Sequence, residues 1–139
     1  LFKEGFFFIR TFFIPLYKRE RMANFKIGVK SDKDFYYKWL CALSGFMPLT
    51  KKELLILCEF LCIYMDTKDR DLFKTSNRQA VRDTLGITTH NINNYINALK
   101  NKRAIIIGEG QSGITKTLIP NVNGEKKIDI VIKLRYENS

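Results

Sequence analysis

The sequence predicts an α+β fold in which helices precede a C-terminal antiparallel β-hairpin or sheet. Three observations lead there. Ile92, Tyr95, Ile96 and Leu99 stand at i, i+3, i+4 and i+7, the spacing of a buried helical stripe. Gly86 and then Thr88-Thr89 supply a helix stop followed by a helix start, so two short helices are joined by a tight turn. β-Rich runs come after them: Ala104-Ile105-Ile106-Ile107, then the alternating stretch Ile128–Arg135.

Taken in order, Ser31 predicts the cap of a helix over residues 31–46. Phe35, Trp39, Leu40, Leu43 and Phe46 fall on or near its apolar side, and the Gly45 to Pro48 stretch breaks it. Thr50 with Glu53 three residues on is a capping box for a helix over 50–65. That helix is apolar nearly all round, with Leu54, Leu55, Leu57, Cys58, Leu61, Cys62 and Tyr64, and such a helix belongs at the centre of a core. A charged loop, Asp66–Asp71, follows, and Leu72-Phe73 is a candidate short strand. Ser76 or Asn77 caps a helix over 77–85, whose Ala80, Val81 and Leu85 share one face. Gly86 ends it at the position where a left-handed residue is cheapest, and Ile87 plugs the turn into the core. The next helix spans 89–101, and the polar turn Asn101-Lys102-Arg103 leads into strands near 104–108, 114–118 and 128–135. Two loops, Glu109–Gly113 and Asn121–Lys127, are candidate wings.

Helix, tight turn, helix and then a strand is the outline of a winged helix-turn-helix, an arrangement that places its second helix in the major groove of duplex DNA. The outer face of that second helix is crowded with Asn. Asn forms helices poorly because its amide competes for the backbone. It also presents a donor and an acceptor side by side, matching adenine N6 and N7. Thr89, His90, Asn91, Asn93, Asn94 and Asn97 are therefore assigned to base reading. A compositional explanation stands beside this one, since an AT-rich gene makes Asn frequent and the chain is also rich in Lys and Ile; at Asn97 both stay open. Phosphate and wing contacts are assigned to Ser76, Arg78, Lys100, Lys102, Arg103, Lys116, Lys126 and Lys127.

Composition agrees. The 139 residues carry 24 Lys/Arg against 14 Asp/Glu, a net charge of +10. Residues 1–71 hold 13 against 9 and residues 72–139 hold 11 against 5, so the excess is larger in the half with the helix-turn-helix. Many basic proteins bind no nucleic acid, so charge supports the motif without replacing it. Cys58 and Cys62 share a helical face, yet with Cys41 and a single His the ligands for a structural zinc are too few. Reduced thiols in a cytoplasmic protein are expected instead. No GxxxxGK[ST] loop is present, and His90 alone cannot form the paired-His metal site of a rolling-circle nickase. No catalytic residue, metal or cofactor is expected.

Residues 1–21 contain Phe6-Phe7-Phe8-Ile9, Phe12-Phe13-Ile14 and Leu16-Tyr17, interrupted by Arg10 and Pro15. The run is too short for a membrane span and lacks the layout of a signal peptide. Lys18-Arg19-Glu20-Arg21 is codable wholly by purines directly before Met22, as a bacterial ribosome-binding site is. Residues 1–21 are thus expected to be a translated leader, or else an aromatic extension, with a single domain over 22–139.

From Phe35 to Tyr136 the chain resembles small plasmid replication initiators of the RepL type. The resemblance rests on apolar helices at Phe35–Leu43 and Leu54–Leu61 and on the Asn77–Leu99 helix-turn-helix running into Ala104-Ile105-Ile106. Gly113-Ile114, Leu118-Ile119-Pro120 and the last strand, Ile128–Leu134, complete it. It implies origin binding by a plasmid or phage protein and supplies no catalytic residue. MarR-like regulators share its middle, so transcriptional regulation of a mobile element is the alternative, and a winged helix used for protein contact is a third. The expected partners are double-stranded DNA, a second copy of the chain and host replication proteins, with no membrane.

Overall fold

Strand pairing and helix packing divide the chain into two units, residues 1–35 with 121–139 and residues 36–120. The computed structural model describes residues 5–16, 19–21, 24–121 and 129–133, with side chains described from residue 28 to residue 121.

The first unit is a sheet around β1 (Gly5–Leu16). β2 (Arg19–Arg21) pairs antiparallel with the end of β1, through Ile14↔Arg21 and Leu16↔Arg19. β3 (Asn24–Val29) pairs antiparallel with its first half, from Gly5↔Val29 to Arg10↔Asn24. Residues 5–16 and 19–21, within the stretch expected as a translated leader or an aromatic extension, are strands. Aromatic and β-branched residues favour a pleated backbone, and that signal is written plainly in the Phe and Ile runs. Where the sequence leads to one domain over 22–139, contacts group the chain into the two units above.

In the second unit the helices come first. α1 (Asp32–Leu43), which begins in the first unit, is continued by a 3-10 turn at Ser44–Phe46. Phe35, Trp39 and Leu40 are buried and Leu43 is half-buried. Phe46, expected on the apolar side, is 67% exposed, because the helix ends before reaching it. α2 (Lys51–Thr67) starts at Thr50, whose hydroxyl oxygen accepts a bond from the Glu53 amide at 3.2 Å. Leu54, Ile56, Leu57, Cys58, Phe60 and Leu61 are buried along it, so α2 is the core helix that its composition requires. Cys58 is a buried thiol and Cys41 and Cys62 are half-buried. Lys68 in the left-handed conformation closes α2. No helix among the described residues is long and apolar enough to cross a membrane.

α3 (Thr75–Leu85) and α4 (Thr89–Asn101) follow, both packed on α2. α3 begins two residues earlier than expected, and Lys74 stands at its N-cap without a side-chain cap bond. Ser76 is exposed in the first turn, and Asn77 instead donates to the Leu72 carbonyl at 2.9 Å and to Asp69 at 3.3 Å. The inner face is Val81 with half-buried Asn77, Arg78 and Leu85, and Ala80 is exposed. Gly86, at φ +64°, ends the helix.

β4 (Ile105–Gly108) and β5 (Gln111–Ile114) form an antiparallel hairpin. Its loop is only Glu109-Gly110, because Gly110 at φ +68° allows a two-residue turn. The second strand therefore lies earlier than the expected 114–118, and residues 116–118 form a 3-10 turn. Leu72-Phe73 do not form a strand; a single bridge, Asp71↔Ser112, joins that loop to β5. The last strand, β6 (Asp129–Lys133), was expected beside this hairpin and pairs instead parallel with β1, through Phe8↔Asp129 and Phe13↔Lys133. Alternation fixes a strand's faces but not its partner.

The order is thus α+β, four helices and then a two-stranded antiparallel hairpin, as a small winged domain requires. Trp39 ties its ends together, donating from Nε1 to the Leu118 carbonyl at 2.8 Å. Trp39→Phe leaves that buried carbonyl without its donor, and the expected loss is about 1–3 kcal/mol in urea unfolding. An unchanged midpoint would show that the bond is not a constraint on the fold.

Candidate nucleic-acid interface

The geometry of α4 follows from its caps. The Thr88 hydroxyl oxygen accepts from the Asn91 amide at 3.2 Å, so the helix begins at Thr89 with that residue's own side chain exposed. Ile92, Ile96 and Leu99 are buried and Tyr95 is half-buried. Opposite them, His90, Asn94, Asn97 and Asn101 stand at i, i+4, i+7 and i+11, and all are exposed. The row runs the length of the helix, about 16 Å at 1.5 Å per residue. Asn91 is exposed at its side. α4 contains no acidic residue. Asn101 was missed as a site residue because it reads as part of the turn; the eleven-residue spacing from His90 is the signal that finds it.

Asn93 does not belong to the exposed row. It is half-buried, and its Oδ1 accepts from Arg78 Nη1 at 2.9 Å. Arg78 also donates from Nε to the Phe73 carbonyl. Arg78 therefore links the loop before α3 to α4, where the sequence suggested a phosphate contact. An arginine fork satisfied at both ends holds its two partners in register. On the row itself, Asn94 Nδ2 lies 3.2 Å from His90 Nε2, so the two side chains share one bond.

Lys102, assigned to phosphate from the sequence, is engaged within the fold. Its ammonium lies 2.8 Å from both carboxylate oxygens of Glu53, which is 4% exposed. It too is a structural cation. Arg103 remains exposed at φ +62° and closes α4: its amide bonds to the Lys100 carbonyl at 3.0 Å, and the Ala104 amide bonds to the Leu99 carbonyl at 3.0 Å. Lys100 is exposed in the last turn. Lys116 is exposed in the 3-10 turn after the hairpin, next to Thr115, whose amide and hydroxyl donate to the Ala104 and Arg103 carbonyls. Lys126 and Lys127 lie outside the described residues.

The surroundings sharpen the electrostatics. Residues 36–120 hold 12 Lys/Arg against 7 Asp/Glu. Lys74 pairs with Asp69 at 2.6 Å; the ammonium beside it holds the Asp69 carboxyl below its ordinary value, and the carboxylate raises Lys74 in turn. The tip of the hairpin carries Glu109 and no cation, so it offers phosphate no attraction. No protein family, curated protein or solved structure matches the chain.

Two outcomes follow from the structural cations. Lys102→Ala leaves a buried carboxylate unpaired and is expected to cost about 2–3 kcal/mol, less than a fully buried pair because Lys102 keeps 28% exposure. Adding Glu53→Gln should recover at least half of that loss in a double-mutant cycle, and additivity of the two changes would show that the pair is not coupled. Arg78→Ala should lower stability by about 1–2 kcal/mol, with Asn93→Ala costing less. Thermal unfolding that ranks Asn93 above Arg78 would overturn the assignment of Arg78 as the link.

Proposed function

We propose that residues 36–120 bind duplex DNA with sequence preference, with α4 in the major groove. The observation that carries this reading is the acid-free row of His90, Asn94, Asn97 and Asn101, flanked by Thr89 and Asn91, on the exposed face of the second helix of a helix-turn-helix. Such side chains have few structural reasons to cluster there, and amides match the donor and acceptor pairs of base edges. Asn91, Asn94 and Asn97 read bases in this proposal, Asn93 holds Arg78, and Lys100 and Arg103 meet phosphate at the far end of the helix. Between replication initiation and regulation, the resemblance to RepL-type initiators favours initiation at a plasmid or phage origin. Selection of bound sequences from random duplexes separates the two: repeated sites within an origin support initiation, and a single operator beside a promoter supports regulation.

Asn94→Ala and Asn97→Ala are each expected to cost about 1–3 kcal/mol on the selected site and far less on random duplex. Arg103→Gly tests the phosphate role without loss of fold, since glycine suits the left-handed position better than arginine. The expected result is an unchanged or higher melting temperature with a salt slope lower by about 1. Equal losses on specific and random DNA for both Asn variants would remove base reading from α4.

A further inference from the structure

We propose that a groove between the C-terminal end of α2 and the β4–β5 hairpin docks an extended, acidic and apolar segment of a partner protein. The groove encloses about 490 Å³ and its apolar lining comes from Tyr64, Ile106, Ile114 and Ile119. Ile106 is 61% exposed in the middle of β4. A large aliphatic side chain left in water on a strand, beside other apolar groups, marks a surface that gains by being covered. Its cross-strand partner is Gly113, and a Cβ at that position would meet no atom within 4 Å, so the floor is open.

Charge chooses the occupant. Lys68, Arg70 and Lys116 line the same groove. The carboxylate among them, Asp69, is already held by Lys74 at 2.6 Å and by Asn77 at 3.3 Å. Asp71 accepts from the Ser112 hydroxyl at 2.8 Å. Lys68 lies over the Tyr64 ring, 4.9 Å from its centroid, and Arg70 and Lys116 have no ion pair among the described residues. A second copy of the chain would set these cations against one another. Nucleic acid would satisfy the cations and leave Tyr64, Ile106 and Ile119 facing phosphate. A segment alternating apolar and acidic residues satisfies both.

The test uses the full chain and two fluorescently labelled peptides, one alternating isoleucine with glutamate and one alternating isoleucine with lysine, read by anisotropy. The acidic peptide is expected to bind at least about tenfold tighter. Gly113→Leu fills the floor of the groove, and the double change Arg70→Glu, Lys116→Glu reverses its charge; each should weaken the acidic peptide about tenfold or more. Both charge changes are at exposed positions, so that variant keeps the question open to refutation if Gly113→Leu does not fold. Equal binding of the two peptides, or binding undiminished in the variants, would overturn the proposal. So would a dimer of the native chain that Gly113→Leu dissociates, which assigns the groove to a second copy. A loss of duplex affinity in the charge variant larger than its loss of peptide affinity would assign the groove to DNA.

Discussion

The contact between Glu53 and Lys102 organises the second unit. α2 is apolar nearly all round and can sit only in the core, so a carboxylate in its first turn must bring its own compensation. Glu53 finds it in the Thr50 hydroxyl at 3.1 Å and in an ammonium 49 residues away. That ammonium stands just past the last turn of α4, where positive charge is favoured, as negative charge is at the start of α2. The pair therefore clamps the beginning of the core helix to the end of the exposed one. What comes next depends on it: Arg103 turns the chain back, Ala104 is buried, and β4 departs into the hairpin, after which the 3-10 turn returns the Leu118 carbonyl to Trp39.

Periodicity and caps made the helices legible. α4 lies where its apolar stripe and the Thr88-Thr89 start placed it, and α2 lies where the capping box did. Short-range signals end there. Nothing local says that Asp129–Lys133 pairs across the chain with Gly5–Leu16 and not with the hairpin beside it. The aromatic run at the beginning carries the β-prone composition of the strand Gly5–Leu16. At the candidate site, the exposed positions of α4 follow from counting residues per turn. Asn93 does not, because its fate is set by an arginine fifteen residues earlier.

The same lesson applies to charge. A count of Lys and Arg overstates the number of cations free to meet a partner. Arg78, Lys74 and Lys102 are each committed within the second unit, to a carbonyl and an amide oxygen, to Asp69 and to Glu53. Lys100 and Arg103 are left near the end of α4, and Arg70 and Lys116 around the groove. Sequence assigns a charge to a residue, and only the fold says whether that charge is already neutralised.

The parallel pairing of β1 with β6 has a consequence for how the molecule is made. Phe8 meets Asp129, so this ladder closes a loop of almost the whole chain and is among the slowest kinds of contact to form. Residues 36–120 are contiguous and rich in contacts between neighbouring elements. By sequence separation alone, the helical unit closes the shorter loops and the β1–β6 ladder the longest one.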